Sequence, residues 1–303
     1  MVLNNWLKLA MEKERIIVSL TTYDKRIGNI PFVLNTILAQ TLSPDIIVLN
    51  LAYDEIIPDD VREYLDTHSI EVNRVPDTKV YKKLIHTLKK YPRDCVISID
   101  DDFLYPEGMI EDFVHIHSLY PNNPISGNSV VLYGLQCHCG CASLMKYSYL
   151  GKYIDSIDDE VIKHCPSDDL VYTYFSNKNN HPYLRTKELY SNNMQSFNEG
   201  DSYSKAIGGG KGILDTYNYL VNRFGRLEHN LILSYAPNME PYLASVIDDV
   251  FKQKYGTEMF SKGYDKGVAE MKSSSSFRIG RIMLFPLIFI RSLYKNYICD
   301  NEQ

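Results

Sequence analysis

What the sequence lacks narrows the reading first. It has no excess of positive charge: 32 Lys and Arg stand against 38 Asp and Glu, a net charge of -6. A chain that grips a nucleic-acid backbone needs the opposite balance, so nucleic acid is not an expected partner. The six cysteines, Cys95, Cys137, Cys139, Cys141, Cys165 and Cys299, show no spacing of a secreted disulfide framework. Nor does the segment Met1 to Arg15 hold the apolar stretch of a secretory signal; it mixes charges throughout. Together these absences set a cytoplasmic expectation with reduced thiols. The C-terminal tail also lacks a run long enough to cross a bilayer. Ile282–Ile290 offers nine uncharged apolar residues with Pro286 among them, about 13 Å of helix against a hydrocarbon core of about 30 Å.

What remains is the composition of a folded protein, 45% hydrophobic and 23% charged, long enough at 303 residues for one large core or two modest ones. Its charge is uneven. Residues 271–303 carry Lys272, Arg278, Arg281, Arg291 and Lys295 against Asp300 and Glu302. On a helical projection Arg278, Arg281, Arg291 and Lys295 share an arc of about 140°. That pattern predicts an amphipathic helix lying on an anionic membrane surface, with a terminal helix docked on protein as the alternative.

The first hundred residues alternate regularly. Short apolar runs at Ile16–Leu20, Ile46–Leu51, Ile70–Val75 and Cys95–Ile99 predict four strands. Helical spacing at Asn29–Ala39, after Pro58, and at Tyr81–Tyr91 predicts the helices between them. A β-α-β-α-β-α-β order implies a doubly wound, mostly parallel Rossmann-like sheet with helices on both faces, its function at the carboxyl ends of the strands. Beyond Pro106 the pattern is less regular: a helix at Met109–Tyr120, strands at Val130–Leu135 and Cys141–Met145, a helix or buried turn from Leu170, loops over 176–211, and helices at Ile213–Phe224 and Pro241–Tyr255. The expected division is a catalytic domain over 1–240, with a nucleotide half at about 15–105 and an acceptor half at about 106–240, followed by C-terminal helices and the basic tail over 241–303.

The fourth strand runs into Asp100, Asp101 and Asp102. Three adjacent carboxylates repel one another unless a cation holds them, and at this edge of the sheet a divalent metal with a diphosphate fits. A solvated acidic turn paired with lysines is the plainer alternative. A second acidic pair, Asp168-Asp169, follows Pro166-Ser167 ahead of an apolar helix; there Ser167 or Asp168 could simply cap the helix. Cys137-His138-Cys139-Gly140-Cys141 lacks the spacing of a structural zinc site; on a strand, its thiols share one face and pack as small hydrophobes. His138 reads as a histidine satisfied within the structure.

These motifs carry a resemblance. Strand four with Asp100-Asp101-Asp102 resembles the DxD motif of GT-A-fold nucleotide-sugar glycosyltransferases. The opening Ile16-Ile-Val-Ser-Leu-Thr-Thr-Tyr-Asp-Lys-Arg-Ile is similar to the first strand and nucleotide loop of bacterial, family 2-like members, and Leu38-Ala-Gln-Thr to the end of their first helix. Asp77-Thr-Lys-Val-Tyr-Lys-Lys-Leu is similar to their D-x-G-P-x-T-K-L segment, with Lys79 and Val80 in place of the glycine and proline. Their acidic pair after strand two is absent, the chain reading Leu49-Asn50-Leu51-Ala52-Tyr53-Asp54.

Arg26 and Lys83 are placed to contact phosphate, with a loop arginine and a solvated helix lysine as the alternatives. Thr21 and Tyr23, just past strand one, are placed to pack on base and ribose, with turn chemistry as their alternative. The resemblance implies roles for the matching positions. Asp102, with Asp100, coordinates Mn2+ or Mg2+. Asp100 and Asp101, together with Asp77 and Lys83, contact the nucleotide-diphospho-sugar donor, beside Thr21, Tyr23 and Arg26. Asp169, beside Asp168, serves as general base toward the acceptor hydroxyl. The activity implied is metal-dependent, inverting transfer of a sugar to a glycan or lipid-linked acceptor in surface-polysaccharide assembly, at the inner face of the cell membrane. Two other classes stay open: a sugar nucleotidyltransferase and a non-catalytic nucleotide-sugar-binding module. The first calls for a glycine-rich basic loop after strand one, where this chain has only Gly28. The second has no need of Asp168-Asp169.

Overall fold

In a computed structural model, the protein is described over residues 14–132, 135–138, 140–186, 195–196 and 209–227. The chain divides into two units, Met1–Met239 and Glu240–Gln303, and every described residue lies in the first. The expected helix at Pro241–Tyr255 and the basic tail lie outside the described residues.

The elements follow in chain order. β1 is Ile16–Thr21, and a 3-10 turn at Asp24–Asn29 leads into α1, Ile30–Leu38. β2 is Ile46–Ala52, α2 Asp59–Thr67 and β3 Glu71–Val75. A second 3-10 turn, Lys79–Lys83, precedes α3, Ile85–Lys90, and β4 is Cys95–Ile99. After β4 come β5 (Phe103–Leu104), α4 (Met109–Leu119), β6 (Ile125–Ser126), β7 (Ser129–Leu132), β8 (Leu135–His138) and β9 (Ala142–Met145). Then follow α5 (Tyr147–Leu150), a 3-10 turn at Gly151–Ser156, α6 (Asp159–His164), α7 (Asp168–Lys178), β10 (Leu184–Arg185), β11 (Gln195–Ser196) and α8 (Gly209–Phe224).

Seven strands form one sheet in the order β10-β6-β9-β4-β1-β2-β3. β1 lies parallel to both β2 and β4, and β2 parallel to β3, while β9 runs antiparallel to β4 and β6. β1 and β4 are buried at nearly every position, which is why they read as unbroken apolar runs. Alternation divides them between two cores. Val18, Leu20, Leu49, Ile97 and Ile99 pack with α1, α2 and α4 on one face. Ile17, Val48 and Val96 pack with α3 and the later helices on the other. α1 buries Ile30, Val33, Leu34 and Ile37, a single stripe at i, i+3, i+4 and i+7.

Three expectations need correction. The helix expected over Tyr81–Tyr91 is broken: a 3-10 turn ends at Lys83 and α3 begins at Ile85. Ser19 Oγ donates to the Lys83 carbonyl at 2.5 Å, taking an acceptor that a continuous helix would use. The strand expected at Val130–Leu135 is instead the hairpin β7–β8. Finally, Cys137 and Cys141 do not share a strand face. β8 ends at His138, and Gly140 and Cys141 turn the chain with φ of +67° and +57°.

Candidate active site

The carboxyl ends of β1 and β4, the start of α7 and the turn at 140–141 meet at one edge of the sheet. Lys83 is placed there by a buried polar network on the β1–β2 surface. Ser19 Oγ, which holds the Lys83 carbonyl, lies 2.7 Å from Thr87 Oγ1 and accepts from Asn50 Nδ2 at 3.0 Å. Asn50 also donates to Thr87 and accepts from Asn73. Each of these polar groups is satisfied by another, so the network fixes the backbone at Lys83 without an orphan.

From that anchor the Lys83 ammonium donates to Asp100 Oδ1 at 2.8 Å and lies 3.5 Å from Asp168 Oδ2. The second Asp100 oxygen accepts the Cys141 N–H at 2.8 Å, and Asp169 Oδ2 accepts the Gly140 N–H at 3.0 Å. Two consecutive amides of a left-handed turn therefore tie together carboxylates 69 positions apart in the chain. The Tyr105 hydroxyl closes the base of the site, accepting from the Asp100 N–H at 2.8 Å and lying 2.9 Å from the Cys141 carbonyl.

The Asp101–Asp102 side of the turn faces β1. Thr22 Oγ1 donates to Asp101 Oδ2 at 2.6 Å, and Arg26 Nη1 lies 2.9 Å from Asp101 and 3.2 Å from Asp102. Five carboxylates are thus gathered around two cations. Burial alone pushes the Asp100 acid up, but Lys83 and the Cys141 N–H more than reverse it, so Asp100 stays below the usual carboxylate range. Asp101 is raised by burial despite Thr22 and Arg26. Asp168 and Asp169 are also raised, chiefly by burial, with Lys83 opposing and the neighbouring carboxylates adding to the shift.

Among their buried oxygens, Asp168 Oδ2 and Asp169 Oδ1 accept no hydrogen bond, although Lys83 and His138 lie at ion-pair distance. His138 is held at Nδ1 by Ser126 at 2.7 Å, and its Nε2 lies 3.5 Å from Asp169. Burial, then the charge of Lys83, lowers its pKa to about 4, so the ring beside Asp169 is neutral at physiological pH. Ser167 sits at the N-cap of α7 without a side-chain cap hydrogen bond. The capping alternative for this acidic pair is therefore not realised; Asp168 faces Lys83 instead.

The remaining expected residues lie around this centre. Thr21 Oγ1 donates to the Asn50 carbonyl, while Tyr23 is about half exposed with the Arg26 guanidinium 5.6 Å from its ring centre. Asp77 holds Lys79 at 2.5 Å and Lys82 at 2.6 Å. Burial raises its acid, and the two lysines more than reverse that. Sequence reasoning missed Thr22, Tyr105 and the part the Gly140 and Cys141 amides play in holding carboxylates; the two residues themselves fall in the small, glycine-rich stretch that the resemblance sets beside the sugar pocket. Thr22 is neighbour to two residues singled out, but a threonine in a loop carries no mark of its partner. The backbone amides have no residue-type signal except Gly140 itself.

The donor atoms at this edge are oxygens with an excess of negative charge; the two buried ones without hydrogen bonds belong to Asp168 and Asp169, while Asp100 and Asp102 hold Lys83, the Cys141 N–H and Arg26. That set fits a hard divalent cation completed by phosphate oxygens and water.

No protein-family model matches this chain, and no curated protein sequence matches it. Solved structures do. A mannosyltransferase from Pyrobaculum calidifontis, in complex with GDP-Man and Mn2+, superposes with a TM-score of 0.50 at 14% identity, covering 97% of this chain and 94% of its own. A 4-diphosphocytidyl-2C-methyl-D-erythritol synthase gives 0.44 at 10% identity over 64% of this chain and 98% of its own. S. aureus TarS gives 0.44 at 12% identity over 75% and 47%. The mannosyltransferase likeness defines the architecture: this chain has the GT-A-type fold of nucleotide-sugar glycosyltransferases.

Proposed function

We propose that this protein is a metal-dependent glycosyltransferase that moves a sugar from a nucleotide-diphospho-sugar to a glycan or lipid-linked acceptor, with inversion. The observation that carries the reading is the convergence of Asp100 with Asp168-Asp169 around Lys83, next to Asp101 and Asp102 held by Arg26, at the carboxyl edge of the sheet. Asp102 with Asp100 would hold Mn2+ or Mg2+, which when bound neutralises the charge developing on the departing nucleoside diphosphate. Arg26 fixes the Asp101–Asp102 turn from below. Tyr23 offers an exposed ring to the base or ribose.

Lys83 is enclosed by Asp100 and Asp168, so its first task is to hold those carboxylates in place; the phosphate contact expected of it is secondary in this reading. Asp169 is the general base. Its raised pKa matches a group that takes the acceptor hydroxyl's proton near neutrality, and the Gly140 N–H orients it. A role in surface-polysaccharide assembly at the inner membrane face rests on the basic tail, and no helix among the described residues is long and apolar enough to cross a membrane.

Calorimetric titration with UDP, GDP and CDP, with Mn2+ or with chelator, tests the clamp. At least one nucleotide should bind only with metal and fail to bind Asp102→Ala. Pyrophosphate release from a nucleoside triphosphate and a sugar phosphate would instead mark a nucleotidyltransferase.

A further inference from the structure

At the opposite end of β4 a second constellation stands apart from the chemistry above. Cys95 opens the strand whose other end runs into Asp100, about 16 Å away at roughly 3.3 Å per residue. Glu14, just before β1, and His117, in the last turn of α4, meet it there. Glu14 Oε2 lies 3.2 Å from Cys95 Sγ and 3.2 Å from His117 Nε2, and Cys95 Sγ lies 3.4 Å from His117 Nε2. Among the described residues, this is the one set of three His, Cys, Asp or Glu ligand atoms that all lie within 4.8 Å of one another. We propose that Glu14, Cys95 and His117 form a zinc site, with water in the fourth position.

The geometry is close to what the metal needs. Zinc bonds of about 2.3 Å to sulfur and about 2.0–2.2 Å to nitrogen and oxygen, at tetrahedral angles, give ligand–ligand edges of about 3.4 Å for N–O and about 3.6 Å for S–N and S–O. All three observed edges lie within a few tenths of an ångström of these values. Cys95 and His117 are buried, while Glu14 is partly exposed and leaves a solvent side for the water.

The surrounding groups orient each ligand as metal sites require. The Tyr149 hydroxyl donates to the Pro121 carbonyl at 2.8 Å, so at 3.3 Å from His117 Nδ1 it accepts that nitrogen's proton. In a neutral ring this leaves Nε2 as a lone pair aimed at Glu14 and Cys95. Lys146 pairs with Glu14 Oε1, which leaves Oε2 for the metal. Binding releases the Cys95 proton to solvent, and a thiolate, a carboxylate and a neutral imidazole then balance the charge of Zn2+. Such a site fastens the chain before β1 to β4 and α4.

The test is titration of the chelator-treated, full-length protein with Co2+ alone. A thiolate-to-cobalt charge-transfer band with the intense visible bands of four-coordinate cobalt should reach its maximum at one equivalent. It should vanish in Cys95→Ser, persist in Asp102→Ala, and be displaced by Zn2+. Glu14→Gln, at a partly exposed position, retains the fold and should weaken Co2+ affinity by at least about tenfold, since outer partners alone are worth roughly that much. No band in the wild type, a band surviving Cys95→Ser, or unchanged affinity in Glu14→Gln would leave only a hydrogen-bonded triad and overturn the proposal.

Discussion

Lys83 Nζ and Asp100 Oδ1 lie 2.8 Å apart, the lysine buried and the carboxylate partly so, and the ion pair they form is the pivot of the candidate active site. Lys83 is also the nearest positive charge to Asp168 and the one that lowers the acids of both Asp168 and Asp169. Removing it leaves three carboxylates without a counter-charge. Lys83→Met should therefore destabilise the protein by about 3–5 kcal/mol, the usual cost of breaking a buried pair from one side. In urea denaturation the double variant Lys83→Met/Asp100→Asn should lose less than the sum of the single losses.

Asp169→Asn separates catalysis from stability. As the general base, Asp169 should account for about 10²- to 10⁴-fold in kcat with little change in donor KM. The same substitution removes a partly buried carboxylate whose ionised form the site disfavours, so the Tm at neutral pH should rise. Steady-state kinetics and thermal denaturation of the one variant check both halves.

The pH dependence follows from the direction of these shifts. Asp168 and Asp169 have folded-state pKa values raised above the unfolded value of about 3.9. Between the unfolded and folded values the native state binds more protons, so their contribution to stability is greatest on the acid side. It falls as pH rises through the folded pKa values. Activity should rise over the same window, because the base must be ionised. The difference between wild type and Asp168→Asn/Asp169→Asn in unfolding free energy, measured from about pH 4 to about pH 8, should grow in the variant's favour with pH.

Gly140 supplies one of the two amides that bridge Asp100 and Asp169. Its φ of +67° is left-handed, and an added Cβ meets Asp100 Oδ2 only at ordinary contact distance, 3.7 Å. The cost of Gly140→Ala should thus come from the backbone, about 1–2 kcal/mol. A crystal structure of the variant should find the Gly140–Asp169 hydrogen bond lengthened or lost, with kcat reduced more than donor KM.

The parallel half of the fold was legible because burial on both faces of a parallel sheet forces unbroken apolar runs, and Cys95–Ile99 is such a run at full length. The two acidic groups were legible because adjacent carboxylates are costly and mark themselves. What could not be read was pairing across the chain. Nothing in the sequence says that Ser19 holds the Lys83 carbonyl, that Thr22 holds Asp101, or that the amides at 140 and 141 reach Asp169 and Asp100. α7 was hard to read for a related reason. It is buried around nearly its whole circumference, from Leu170 to Asn177, and so lacks the amphipathic stripe that marks a surface helix.

Release of nucleoside diphosphate from a panel of nucleotide-sugars tests the central claim most directly, measured with Mn2+, with Mg2+ and with chelator, for wild type, Asp102→Ala and Asp169→Asn. The account predicts release from one donor class that depends on metal and on an acceptor, abolished in Asp102→Ala and strongly reduced in Asp169→Asn. Chelator-insensitive release, or wild-type turnover by either variant, would contradict it.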